Sequence, residues 1–262
     1  MNIIVCIKQV PISNRTKFDN NTHTMIRDEN TSVINPYDMY AIEESIRLKE
    51  KHSGNVSVIS MGIPSVSDLL KEAMSLGADK GILLSDKRFA GSDTLATAYV
   101  LSLCIKKISK FDIILCGKQA IDGDTGQVGP ALAEKLNINH VTNVKEIECV
   151  EGERIICHRL TEYGYERIQT RLPVLLTVVK EINVPRLPDI KSVLQAEESD
   201  VTVWNAEDIN ADTARLGLKG SPTRVIKAFT PVHNVKCDFI TGSTEEQIDK
   251  LLKKINIKQI YD

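Results

Sequence analysis

Read by its hydrophobic and polar positions, the chain opens on a near-continuous apolar run, NIIVCIKQV. Such runs suit a strand buried on both faces. NVSVISM, KGILLSD and FDIILC repeat the pattern. Between these runs the apolar spacing becomes helical. In NPYDMYAIEESIRLKEK, Met39, Ile42 and Ile46 share a face; Asn35 is a candidate cap and Pro36 suits the first helical position. In IPSVSDLLKEAMSLGAD the stripe is Val66, Leu69, Leu70, Ala73 and Met74, with Gly77 as the stop. SDTLATAYVLSLCIKKI, with Ser92 as candidate cap, is apolar almost all round and reads as a buried helix. Strand and helix alternate through the first half of the chain, which predicts a parallel sheet with helices on both faces.

The pattern then changes. VTNVKEIECV and ERIICHRL, joined at Glu151-Gly152, read as a β-hairpin that YERIQTR extends, and LPVLLTVV reads as one more buried strand returning to the sheet. From about Pro185 the chain reads as irregular, with Pro185 and Pro188 forming a stiff exposed bend. LGLKGSPTRVIKAFTP has too little periodicity to assign. Near the end, STEEQIDKLLKKI carries a capping box from Ser243 to Glu246 and a stripe of Ile248, Leu251, Leu252 and Ile255. The expected division is an α/β domain over 1–184 and, over 185–262, an arm suited to docking on a partner.

Composition narrows the function. With 262 residues, 42% hydrophobic, the chain can bury a full core, and its net charge of −2 lacks the basic excess of a general nucleic-acid surface. No apolar run approaches the length of a membrane span, and MNIIVCIKQV reads as a first strand and not as a signal peptide. Cys6, Cys104, Cys116, Cys149, Cys157 and Cys237 form no C-x-x-C pair, which suits reduced thiols in a cytoplasmic protein. The histidines are scattered, without metal-ligand spacing.

The candidate chemistry lies in CGKQAIDGDTGQVGPALAEKL, which follows the fourth apolar run. In an open parallel sheet, ligands bind at the C-terminal ends of strands near the point where strand order reverses. The dinucleotide fingerprint and the Walker pattern are both absent; Gly123, Gly126 and Gly129 are spaced G-x-x-G-x-x-G. Pro130 fits only a first helical turn, so a helix begins near Thr125 to Gly129 and leaves the N–H groups of Gly126, Gln127 and Val128 for a phosphate. Asp122 and Asp124 can then accept from ribose hydroxyls or loop amides. An ordinary connection, with Asp124 as helix cap, accounts for the same residues. Glu43 and Glu44 read as a solvated helix face. No nucleophile elbow, H-E-x-x-H or Cys/His pair is present, so redox chemistry here would need a bound cofactor.

GKQAIDGDTGQVGP, with INPYDMYAIEESIRLKE, AMSLGADKGILLSD and VPRLPDIKSVLQA, resembles the β subunit of electron-transfer flavoprotein, in order over nearly the whole chain. The resemblance implies a Rossmann-like α/β fold of the adenine-nucleotide α-hydrolase type, with a β-hairpin insertion and a C-terminal docking arm. It also implies an obligate α-subunit partner carrying FAD, and a second adenine nucleotide on this chain. In the respiratory type that nucleotide is structural AMP. In the electron-bifurcating type it is FAD, which takes a hydride from NADH and sends one electron to the α-subunit FAD and one to ferredoxin. Carried over, the cofactor site comprises Cys6; Asn35, Pro36, Tyr37 and Asp38; Met61; and the loop Gly117, Lys118, Gln119, Ala120, Ile121, Asp122, Gly123, Asp124, Thr125, Gly126, Gln127 and Val128. Residues 185–196 match the family's recognition loop, in which Leu187, between Arg186 and Pro188, docks on a partner dehydrogenase.

Three features separate the two types. Gly123 stands where the respiratory type usually has a third acidic residue. FAGSDTLATA resembles the bifurcating type and adds Ser92, Asp93 and Thr94 at a helix start facing the crevice, where capping alone is the other reading. AEESD follows the recognition loop where respiratory members carry a lysine run, which points to a different dehydrogenase, of the acyl-CoA or the lactate dehydrogenase kind. LGLKGSPTRVIKAFTP also resembles the bifurcating group, with Ser221 to Thr223 expected at the α-subunit contact.

Overall fold

The computed structural model describes residues 1–12, 17–18, 25–26, 32–226 and 237–254. The apolar runs become β1 (Asn2–Cys6), β6 (Asn55–Met61), β7 (Lys80–Leu84) and β8 (Ile113–Gly117). Short pairs precede β6: β2 (Gln9–Pro11) with β5 (Ser32–Ile34), and β3 (Lys17–Phe18) with β4 (Met25–Ile26). The helices between are α1 (Pro36–His52), α2 (Val66–Ser75), α3 (Thr94–Ile108) and α4 (Val128–Leu136). The hairpin forms as β9 (Asn139–Glu151) and β10 (Arg154–Thr161), turning at Gly152 with φ 58°, and β11 (Gly164–Arg171) extends it. β12 (Val174–Val178) then returns, fully buried, between β9 and β8, and β13 (Val201–Trp204) is the last strand of the sheet.

The sheet runs β11-β10-β9-β12-β8-β1-β6-β7-β13, parallel from β9 to β13 and antiparallel at β10 and β11. One core joins α1 and α2 to Ile3, Val5, Val56, Val58, Ile113 and Leu115. The opposite core joins α3 and α4 to Ile4, Ile59, Ile82, Ile114 and Leu175. Alternate residues of one strand thus feed both layers, which explains the unbroken apolar runs. From β1 the chain builds outward through β6 and β7; α3 then carries it back to β8, on the other side of β1. That reversal places the crevice at the C-terminal ends of β1 and β8.

The stretch after Pro185 is more ordered than its sequence suggests. α5 (Ile190–Glu198) packs on α2, and β13 pairs with β7 as an edge strand. Gly217–Gly220 form a short helical turn, α6. Residues 1–226 make one compact unit and 227–262 a second. The expected boundary at 185 therefore lies within the first unit. In the second unit, α7 (Thr244–Lys254) is closed by the expected capping box: Ser243 N donates to Glu246 Oε2 at 3.0 Å, and Glu246 N to Ser243 Oγ at 3.4 Å. Ile255 and residues 227–231 lie outside the described residues. No described helix is long and apolar enough to cross a membrane.

Candidate functional site

The crevice is organised by one carboxylate. Asp38, in the first turn of α1, is buried; its Oδ2 accepts from Lys8 N at 2.7 Å, and its Oδ1 from Gly117 N at 3.1 Å and Asn35 Nδ2 at 3.0 Å. It thus joins the ends of β1 and β8 to the start of α1. Burial pushes its carboxyl up to about 7 against the pull of those donors. Gly117 has to be glycine: a Cβ there would lie 2.3 Å from Asp38 Oδ1 and 2.7 Å from the Tyr37 carbonyl carbon. Asn35 occupies the N-cap position without a side-chain capping bond. Its amide instead holds the loop, donating to Gln119 O at 2.9 Å and accepting from Ile121 N at 3.1 Å.

The loop then turns through Asp124 and Gly126, both with positive φ, and α4 starts at Val128 with Gln127 at an N-cap position lacking a side-chain cap. The N–H groups of Gly126, Gln127 and Val128 make no hydrogen bond among the described residues. Gly129 brings the helix start close to β12, where a Cβ would meet Thr177 Cγ2 at 2.6 Å. Thr125 and Gly123 are exposed, and nothing lies within 4 Å of a Cβ built at Gly123. The result is a set of unsatisfied amides at a helix N-terminus, on the exposed Gln127 and the half-buried Gly126 and Val128, a ready anion site.

Among the described residues the two aspartate side chains take their donors from side chains and not from backbone amides of the loop. Lys8 Nζ reaches both oxygens of Asp122 at 2.7 Å, and Asp124 Oδ1 accepts from Gln119 Nε2 at 2.8 Å. Lys8 was invisible as a site residue because its partner lies 114 residues away; a charge just beyond an apolar strand was the one available signal. Cys6 lies opposite Cys116 on the paired strands, its thiol pushed well up by the hydrogen-bonded Cys116 thiol and by burial. Met61 packs partly buried on the core beneath. Tyr37 and Lys118 open onto a cavity of about 610 Å³ lined also by Asn143, Arg159, Thr161 and Lys180. Pro36 is exposed at the helix start, and Ala120 and Ile121 are half-buried within the loop.

The second helix start differs. The cap of α3 is Asp93, not Ser92: its Oδ1 accepts from Leu95 N and Ala96 N at 3.0 Å each. Its Oδ2 accepts from Thr223 N at 3.1 Å and Thr223 Oγ1 at 2.9 Å, while Asp93 N donates to Ser221 Oγ at 2.8 Å. Asp93 outcompetes Ser92 because its carboxylate sits next to the first free amides, and charge strengthens the bonds. Ser221 and Thr223 thus close this helix start from within the chain, and Thr94 is half-buried beside them.

On the far side of α1, Glu43 and Glu44 are buried instead of solvated. Glu43 pairs with Arg47 and with Arg186, whose Nε lies 2.9 Å from its Oε2; Arg186 also reaches Glu50 at 2.6 Å. Burial works against the Glu43 charge, but the bonds from Arg186 and Arg47 outweigh it and lower its pKa. Asn183 donates to Glu44 Oε2 and Tyr40 O at 3.0 Å each. This anchorage ends in an apolar tip: Leu187 is 91% exposed, and Val184, Ile190 and Leu194 are exposed around it, with Pro188 between.

Residues 22–209 match the family model of the electron transfer flavoprotein domain. Over 261 residues the chain is 47% identical to "Electron transfer flavoprotein subunit beta" of Thermoanaerobacterium thermosaccharolyticum, covering 99% of this chain and 100% of that one. "Caffeyl-CoA reductase-Etf complex subunit CarD" of Acetobacterium woodii is 43% identical, with 99% and 100% covered. "Protein FixA" of Azorhizobium caulinodans is 40% identical, with 99% and 95% covered.

Proposed function

The chain belongs to the electron-transfer flavoprotein family, with the β subunits as its relatives, and from that premise we propose that it binds FAD in the crevice between β1 and β8 and works in electron bifurcation. The observation that carries the reading is the loop from Gly117 to Val128, with its free amides at Gly126, Gln127 and Val128. Those amides and the α4 dipole would take the diphosphate. Asn35 and Asp38 hold the loop and strand ends in place without meeting the ligand through their bonded oxygens. The open space at Gly123 and the cavity beside Tyr37 and Lys118 give room that AMP does not need. FAD bound there would accept a hydride from NADH and release electrons singly to ferredoxin and to a second FAD on an α subunit. The protein's part is to bind, orient and enclose.

The partners follow the same reading. An α subunit completes an obligate heterodimer, and the anchored tip at Leu187 docks a flavoenzyme. The complex named for the Acetobacterium relative, a caffeyl-CoA reductase, supports a partner of the acyl-CoA dehydrogenase kind over one of the lactate dehydrogenase kind. The test is to purify the chain with its α subunit, count FAD and AMP, and add NADH. Two FAD per heterodimer and bleaching of flavin by NADH are expected. One FAD with one AMP, and no bleaching, overturns the FAD assignment in favour of a simple electron carrier with structural AMP.

A further inference from the structure

The loop carries an apparent contradiction: a phosphate-accepting helix start preceded by two carboxylates. Asp124 is exposed to solvent, where water and ions screen it. Asp122 is different. Its side chain is only 6% exposed, so its charge is poorly screened, and it stands a few residues before the free amides. Unpaired, it would repel an incoming phosphate. The structure meets that charge with Lys8, whose ammonium contacts both carboxylate oxygens at 2.7 Å while its own side chain stays 44% exposed. The backbone of Lys8 is fixed in turn, its N–H donating to Asp38 at 2.7 Å. Asn35 pins the same loop at Gln119 and Ile121. The end of β1 thus delivers a cation to the loop at a defined place.

We infer that Lys8 is a positioning residue for the nucleotide site: by neutralising Asp122 it makes the loop accept a phosphate. The inference rests on the nucleotide reading of the loop and adds to it the group that makes that reading electrostatically consistent. It has a specific signature. A residue that only holds the loop in shape would matter equally for a nucleoside and a nucleotide. A residue that neutralises Asp122 matters for the phosphate alone, and its loss is rescued by removing the Asp122 charge as well.

The experiment uses the chain purified with its α subunit and freed of nucleotide on this chain. Dissociation constants of AMP and adenosine are measured by calorimetry for wild type, Lys8→Met, Lys8→Arg, Asp122→Asn and Lys8→Met/Asp122→Asn. Lys8→Met is expected to weaken AMP roughly 10- to 100-fold and adenosine by less than about threefold. Lys8→Arg keeps AMP within a few-fold of wild type. Lys8→Met/Asp122→Asn, which removes both charges of the pair, is expected to return AMP to within a few-fold of wild type. Equal loss of AMP and adenosine in Lys8→Met, no loss of either, or failure of Asp122→Asn to rescue AMP in the Lys8→Met protein overturns the role of Lys8. If Lys8→Met does not fold, the comparison of Lys8→Met/Asp122→Asn with wild type decides alone: a large loss of AMP overturns the inference, and equality supports it. A wild-type heterodimer that binds neither AMP nor adenosine overturns the nucleotide reading itself, an outcome distinct from all of these.

Discussion

Two helix starts, those of α3 and α4, both carry Gly, Asp and Thr within a few residues: Gly91, Asp93 and Thr94 at α3, and Gly123, Asp124 and Thr125 at α4. At α3, the aspartate sits at the N-cap, its oxygens are filled by Leu95, Ala96 and Thr223, and Ser221 covers the adjoining amide. At α4, the aspartates lie further back, bonded to Lys8 and Gln119, and the amides of Gly126 to Val128 are left open. Composition alone would rank the two loops together. What separates them is where each carboxylate finds its donor, and hence whether the helix start has any unmet demand for an anion.

The sharpest way to break this contrast is to remove the geometry behind the open site. Gly117→Val places a side chain into Asp38 and the Tyr37 backbone; a loss of about 3 kcal/mol or more in denaturant unfolding is expected, with loss of the nucleotide binding proposed for the loop. Stability near wild type would show that the close approach of β8 to α1 is not needed.

The next effect depends on pH. Asp38 holds its proton up to about 7 when folded, against an ordinary 3.8. The folded state therefore binds more protons than the unfolded between those values, and the stability gained from that proton is lost as pH rises through 7. From pH 5 to 8, wild type should lose about 2 kcal/mol relative to Asp38→Asn, read from denaturant midpoints. A constant difference between the two proteins would show that Asp38 is ionised throughout.

Asp93→Ala probes the closed site. About 1–2 kcal/mol of stability should go with the cap, while affinity for the nucleotide proposed at the other loop stays unchanged. Loss of that nucleotide from a folded Asp93→Ala protein would show that α3 belongs to the ligand site after all. The smallest effect is expected at Gly123→Ala, which meets nothing and needs no positive φ; stability should stay within about 0.5 kcal/mol.

Much of this was legible in the sequence, because the parallel core strands are buried on both faces and so read as unbroken apolar runs. The loop was legible because Pro130 limits where a helix can start. What stayed hidden depends on partners distant along the chain. Glu43 and Glu44 look like a solvated face until Arg186 and Asn183 arrive from 143 and 139 residues away. β13 is a four-residue edge strand that needs β7 beside it, and α5 follows two prolines and carries acidic residues that mask its packing on α2. Lys8 is an ordinary lysine until the sheet brings Asp122 to it.

The anchorage of residues 183–186 on α1 has a further consequence. The part-buried Arg186–Glu43 pair and the buried Asn183–Glu44 hydrogen bond fix where the segment sits, while Leu187 and Ile190 are 91% and 82% exposed and contribute little packing to the fold. On the docking role proposed for the tip, selection can exchange Leu187 and Ile190 at little cost in folding, and redirect the chain to another client while inheriting the same scaffold. Specificity of that kind would be modular, written in the few side chains on which the fold does not depend.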